Sequence, residues 1–342
     1  MEKKKFDFEI GMYRPPSEGG SYSLLLRVTR NCPWNRCGFC AMYKTEKFEL
    51  RSPEAVKADI DTVAALVHEL QLVSTEMGLG GTINGPVARE MIQRHPPLNY
   101  HHGFVMVFNW MISGKKTAFL QDANSLIMKT DQLVDILQYL RKTFPSIERV
   151  TSYARSKTLA QKSLEDLAAI RKAGLDRVHV GLETGDDALL KRIKKGVTAE
   201  GHIKGGKKAM VAGFQLSEYW MPGLGGKEFW EDHAGGTAKV LNAINPHYIR
   251  SRPFHPEPGT PLYEEYKHGK LQLLSSKEQL QELKRMVQGL SVTSRLCFDH
   301  ARNYWRNTRG GLLFSQSYEG YQFPKEKARV VALIEEGLMV NS

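Results

Sequence analysis

Short runs of apolar and β-branched residues alternate along the chain with segments whose apolar positions recur every three or four residues. The runs at 24–29, 118–121, 150–153, 178–181, 214–220 and 247–252 predict six strands. The segments between them have the marked ends of helices. Ser52-Pro53 supplies an N-cap and a proline at the first helical position, and Val56, Ile60, Val63, Leu66, Val67 and Leu70 follow at helical spacing. Thr130 is expected to cap a helix whose inner face is Leu133, Ile136, Leu137 and Leu140. Ser163 to Asp166 reads as a capping box for a helix that Gly174 ends, and 208–211 closes another before Gly213. Ser275 and Glu278 form a second capping box before a helix running to about Leu290.

Strands separated by helices imply βα units, a parallel sheet and right-handed crossovers. Six units make a partial (βα)6 TIM-like barrel or a doubly wound sheet. Both gather ligands at the C-terminal strand ends, here after Thr29, Gln121, Tyr153, Leu182, Trp220 and Arg252. The spacing is regular except between the first two strands. That gap reads as a helical insertion, about 52–116. Its Gly78-Leu79-Gly80-Gly81 stretch is a turn, because no Lys-Ser/Thr follows to make a phosphate loop.

The chain has 342 residues, 41% hydrophobic and 25% charged, so it can bury a core without covalent staples. No apolar h-region follows Met1-Glu2-Lys3-Lys4-Lys5, so no signal peptide is expected. The longest nearly apolar run, 104–112, is about half a membrane span. The expected location is the cytoplasm. Lys+Arg of 48 against Asp+Glu of 37 gives a net charge of +11, compatible with RNA, with an anionic substrate or with a solvated basic surface. Among only four cysteines, Cys32, Cys37 and Cys40 crowd into one loop after the first strand and Cys297 is remote. This excludes a disulfide framework. Three thiolates in one loop suggest one metal centre. Zinc normally takes a fourth Cys or His nearby, and the nearest downstream histidine, His68, falls inside a predicted helix. A cubane cluster normally takes four thiolates, so three would leave one iron open to a small ligand.

The loop Cys32-Pro33-Trp34-Asn35-Arg36-Cys37-Gly38-Phe39-Cys40, placed after the first strand of a βα series, resembles the radical S-adenosylmethionine (SAM) superfamily. The usual spacing there is CxxxCxxC, with an aromatic residue before the last Cys. Phe39 matches, and the first gap here is one residue longer. The resemblance runs from about Tyr22 to Pro261. It implies a single [4Fe-4S] cluster on Cys32, Cys37 and Cys40, with SAM on the open iron. It further implies reductive cleavage to methionine and a 5′-deoxyadenosyl radical that abstracts a hydrogen atom from substrate. Alternatives are a zinc protein without catalysis and a tRNA-modifying member. The implied electron donor is of low potential, such as flavodoxin or ferredoxin.

The resemblance also implies a SAM site. Phe39 packs near cluster or adenine. Gln121 and Asp122 stand where the family often has a Gly-rich segment, so Asp122 meets the amino group or instead serves as a helix N-cap or Asx-turn. Arg155 pairs with the methionine carboxylate, or serves only a salt bridge, and Ser152 meets the ribose. Glu183 lies in Glu183-Thr184-Gly185, similar to the strand end of the branch with oxygen-independent coproporphyrinogen oxidase and the tRNA methylthiotransferases. Lys194-Lys195-Gly196-Val197-Thr198 fits that branch too. Glu218, Gly223 and Leu224 belong to the fifth strand and its adenine-facing turn. Arg250, Arg252 and His255 are candidates to line the cavity of an anionic small-molecule substrate. Cys297 reads as a buried structural thiol, and Asp299-His300 and His101-His102 as structural or surface pairs. The expected division is an N-terminal segment at 1–20, the core at 21–262 and a helical extension at 263–342 covering the substrate side.

Overall fold

A computed structural model describes residues 6–11 and 22–340. Of the expected segment 1–20, all but 6–11 lies outside the described residues, as does Met1 to Lys5. The protein is a mixed α/β fold, and eight of its strands form a mostly parallel sheet. The residues fall into two compact units. The first holds residues up to Asn31, Phe48–Tyr153 and Ala169–Arg177; the second holds Cys32–Lys47, Ala154–Ala168 and the chain from Val178.

In the first unit, β1 (Leu24–Leu26) is followed by β2 (Thr29–Arg30), which pairs antiparallel with β3 (Glu49–Leu50). The run expected as one strand is therefore two. The reason lies at Arg27, whose carbonyl accepts from the Arg51 guanidinium at 2.7 Å instead of a strand neighbour. The insertion is helical as expected: α1 (Pro53–Glu76), α2 (Gly85–Arg94) and α3 (His102–Ile112). The Ser52 hydroxyl accepts from Ala55 N, and the six apolar positions read from the sequence are all buried. Parallel β4 (Thr117–Leu120) then lies between β1 and β5 (Arg149–Ala154), which α4 (Thr130–Thr143) precedes. Thr130 is the first residue of α4, and Lys129 holds the cap position.

After β5 come α5 (Ser156–Gln161) and α6 (Leu164–Lys172), where the Ser163 hydroxyl accepts from Asp166 N. The second unit continues through β6 (Arg177–Glu183), α7 (Asp187–Arg192), α8 (Ala199–Val211), β7 (Gln215–Trp220), α9 (Gly226–Ile244) and β8 (Tyr248–Ser251). The part beyond 262 carries α10 (Pro261–Lys267), α11 (Ser276–Gly289) with its full capping box, and α12 (Lys327–Val340). It also adds two short strands, β9 (Arg295–Cys297) and β10 (Tyr321–Gln322), that the helical reading lacked. Strand order here is β6-β7-β8-β9-β10, with β8 and β9 parallel and β10 antiparallel. A three-residue and a two-residue strand are too short to show a period of two.

Helix α8 crosses α5 at glycine. A Cβ on Gly205 would overlap the Ser156 carbonyl, a backbone group that cannot swing away. In a free helix Gly→Ala gains about 1 kcal/mol, whereas overpacking costs about 1–3 kcal/mol. Gly205→Ala is expected to lower stability by up to about 2 kcal/mol, read as a lower urea midpoint at unchanged m-value.

Candidate metal and cofactor site

The loop that carries the three cysteines is fixed at several points within the second unit. Gly38 N donates to Ile193 O at 2.8 Å, and Gly38 O accepts from Leu262 N at 3.0 Å. Trp34 Nε1 donates to Lys194 O at 2.7 Å, and a Cβ on Gly196 would strike the indole. Asn35, in the left-handed region at φ 45°, donates its N–H to Cys32 Sγ at 3.4 Å. Lys44 Nζ donates to the carbonyls of Asn35 and Cys37 at 3.2 and 2.9 Å. Phe39 is buried against Leu189, Ile193, Met221, Leu224 and Phe254, with Cys37 and Cys40 packed on the same cluster. The three thiols are free and partly exposed. Among the described residues, no group of three or more His, Cys, Asp or Glu side chains could hold a single ion. A single zinc needs all its ligands around one point. An iron–sulfur cluster takes each thiolate on a different iron. The donor set fits a cluster.

Beside this loop lies a group of charges. Glu183, at the end of β6, has φ 63°, a conformation costing about 1–2 kcal/mol in a non-glycine residue. Its Oε1 accepts from Lys195 Nζ at 2.8 Å. Gly181 makes room for this pair, since a Cβ there would overlap the carboxylate. Glu183 Oε2 is buried without a hydrogen-bond partner, a vacancy that a ligand N–H or cation suits. Arg155 Nη2 donates to Lys195 O at 2.7 Å, and its guanidinium lies 5.0 Å from the Trp34 ring. Burial pushes the Cys37 thiol pKa up, while Lys195 and Arg155 pull it down. Burial opposes the Lys195 charge, but Glu183 and Cys37 outweigh it and the pKa is raised.

Glu218 is fully buried in β7, neither carboxyl oxygen has a hydrogen-bond partner, and burial holds its pKa well above the usual carboxylate range. The turn after β7 has Gly223 at φ 82°, and its N–H donates to Glu282 Oε2 at 2.6 Å. Leu224 packs in the Phe39 cluster. His233, from α9, donates Nε2–H to Met221 O at 3.0 Å and accepts at Nδ1 from the Thr184 hydroxyl at 2.8 Å. Burial lowers the His233 pKa to about 4 and raises that of Glu282 to about 8, against the Gly223 N–H.

The expected residues are distributed unevenly. Cys32, Cys37, Cys40, Phe39, Arg155, Glu183, Glu218, Gly223 and Leu224 belong to the second unit; Gln121, Asp122 and Ser152 belong to the first. Gln121 has both amide atoms bonded to the Gly11 backbone, at 2.8 and 3.1 Å. Asp122 is neither a helix cap nor open: it takes Arg27 Nε at 2.7 Å. The Ser152 hydroxyl donates toward the Tyr153 and Leu120 carbonyls. Arg250 is buried, paired with Asp299 at 2.8 Å and flanked by the Tyr248 and Tyr318 rings, so its charge is already balanced. Arg252 and His255 line a small pocket with Phe39, Cys40 and Met221. Cys297 is buried and burial pushes its thiol up to about 12. His101 caps α3. Trp34, Lys195, Glu282 and His233 were not singled out from the sequence as site residues. Trp34 and Lys195 lie within the motif segments at 32–40 and 194–198, but nothing in their spacing marks a contact between residues so far apart.

The buried, strand-borne Glu183 and Glu218 thus belong with the thiol-bearing loop to the second unit of an α/β fold. The chain belongs to the radical SAM superfamily, whose family model matches residues 26–233. It is thus an enzyme of the class that uses a [4Fe-4S] cluster and S-adenosylmethionine. Among solved structures, it is similar to Elp3 of the archaeon Methanocaldococcus infernus with an N-terminal deletion (14% identity, 73% of this chain and 58% of that one, TM-score 0.47). It is also similar to methylornithine synthase (PylB), at 14% identity over 81% of this chain and 67% of that one, TM-score 0.46. A third is coproporphyrinogen III oxidase (HemN) of Escherichia coli, at 14% over 78% and 51%, TM-score 0.45. The chain thus spans little more than half of the first and third. No curated protein matches it. Among the described residues no helix is long and apolar enough to cross a membrane.

Glu282 has a folded pKa near 8, above its unfolded value, so it favours folding while protonated and that contribution is lost as pH rises toward 8. His233, whose folded pKa lies below its unfolded one, acts only at lower pH, with stability gained from about pH 4 to 6.5. Glu282→Gln keeps an oxygen for Gly223 N–H but does not titrate. Between pH 6.5 and 8 its urea-derived stability should fall less steeply than the native chain's, by up to about 1.4 kcal/mol per pH unit. Parallel curves for the two proteins would contradict the assignment.

Proposed function

We propose that Cys32, Cys37 and Cys40 hold one [4Fe-4S] cluster, leaving one iron for SAM, and that the enzyme acts on a small-molecule substrate by hydrogen-atom abstraction. The observation that carries this reading is the single loop of three free thiols, fixed at Gly38 and Trp34 and flanked by Arg155, Lys195 and Glu183. When bound, cluster and cosubstrate together supply reductive cleavage of SAM to methionine and a 5′-deoxyadenosyl radical. The chain's own residues supply placement. Arg155 and Lys195 put positive charge beside Cys37, which favours an anionic thiolate cluster. The open Oε2 of Glu183 offers an acceptor to a cationic or N–H-bearing ligand. Phe39 and Leu224 give an apolar wall, and the Gly223 turn gives backbone that approaches a flat ring closely.

The first-unit residues fit less well. Gln121, Asp122 and Ser152 are occupied with backbone or with Arg27, so we assign SAM contacts to Phe39, Arg155, Glu183, Gly223 and Leu224 and leave those three as supports. Glu218, with both oxygens buried and unbonded and its pKa held by burial well above the usual carboxylate range, is assigned as a hydrogen-bond donor toward the same centre. For the substrate, Arg252 is the stronger anion contact, since Arg250 is matched by Asp299. The core is taken as 21–262 with the cover at 263–342, the reductant as a flavodoxin or ferredoxin, and the compartment as the cytoplasm. Anaerobically reconstituted protein is expected to hold about four irons per chain and, once reduced, to release 5′-deoxyadenosine from SAM. Cys37→Ala should abolish both. A colourless protein with stoichiometric zinc would overturn the proposal.

A further inference from the structure

Trp34 gathers cations. The Arg36 guanidinium lies 5.2 Å from the centre of its ring and the Lys157 ammonium 5.9 Å, while Lys194 accepts the indole N–H at its carbonyl. Arg36, Lys157 and Lys194 are all exposed. None of the three makes an ion pair among the described residues, although most arginines elsewhere in the chain are matched by a carboxylate. The patch is also placed with respect to chemistry. Trp34 stands two residues after Cys32, and Arg36 immediately precedes Cys37. Two cations, Arg36 and Lys157, thus stand by a half-buried aromatic ring on the loop that carries the cluster cysteines, and the exposed Lys194 is bonded to that ring through its carbonyl.

We infer that this surface docks an acidic one-electron carrier protein, the donor that reduces the cluster; the inference rests on the cluster assignment above. Electron transfer weakens steeply with distance, so a carrier must touch the protein near the cysteines. Complexes of this kind are small and transient, and they depend on charge steering more than on buried area. A patch of a few cations around one aromatic ring suits that mode. It offers steering and a small apolar contact, and no deep pocket. The transfer balances as one electron from the reduced carrier to the oxidised cluster, with no bond made or broken.

The test uses the anaerobically reconstituted full-length protein, its iron content measured for every variant, and two reductants: reduced flavodoxin and photoreduced 5-deazaflavin, which is small and needs no docking surface. In the native protein, reduction by flavodoxin should slow as ionic strength rises. Lys157→Glu combined with Lys194→Glu, and separately Arg36→Glu, should lower the low-salt bimolecular rate with flavodoxin about tenfold or more and flatten its salt dependence. Reduction by deazaflavin should keep its native rate at equal iron content. An unchanged flavodoxin rate overturns the inference, and so does an equal loss with both reductants, which would place the effect on the cluster itself. If the same substitutions abolish salt-dependent tRNA retention and leave flavodoxin reduction intact, the patch is an RNA contact and the inference fails. A native chain that reconstitutes no iron overturns the cluster assignment, and this inference with it.

Discussion

Three thiols can serve one centre only if the backbone that carries them is held in place, and everything proposed for this enzyme depends on that restraint. The hydrogen bonds from Gly38 to Ile193 and from Trp34 to Lys194 bind the cysteine loop to the turn after α7. The same turn presents Lys195, whose ammonium neutralises Glu183 and whose carbonyl takes the Arg155 guanidinium. Loop, turn and strand end are thus one bonded unit. Its cost is visible in the left-handed backbone at Asn35 and Glu183, the kind of local strain that persists only where surrounding contacts over-determine it.

The lengthened first gap between cysteines acquires a physical meaning in this setting. The residues between Cys32 and Cys37 include an indole that enters the notch at Gly196 and an asparagine whose side chain bonds the Tyr43 carbonyl. The gap is filled by anchors.

Much of this architecture could be read from the sequence, and the reason is local. Ser52 and Ser275 satisfy orphan N–H groups within three residues of themselves, so these caps and helix starts are written in adjacent letters. The cysteine loop was legible for the same reason. What was not legible depends on contacts across long separations. Asp122 also pairs with Arg27, 95 positions earlier, a contact that no local pattern marks. Arg250 looked like an open cation until Asp299, on a segment with no distinctive pattern, matched its charge. The short strands β9 and β10 escaped because two or three residues carry no periodicity, and the run at 24–29 divided because Arg51 took a carbonyl that a strand neighbour would have used.

The bond from Gly223 to Glu282 spans 59 positions, which gives the turn after β7 a history as well as a shape. A ribosome delivers β7 and its turn well before it delivers α11. Until then the Gly223 N–H faces water and the left-handed glycine is free to sample other conformations, because the loop whose closure would fix it is still being made. The turn is therefore completed only once α11 has been made. This edge of the site waits for a helix encoded well downstream of it.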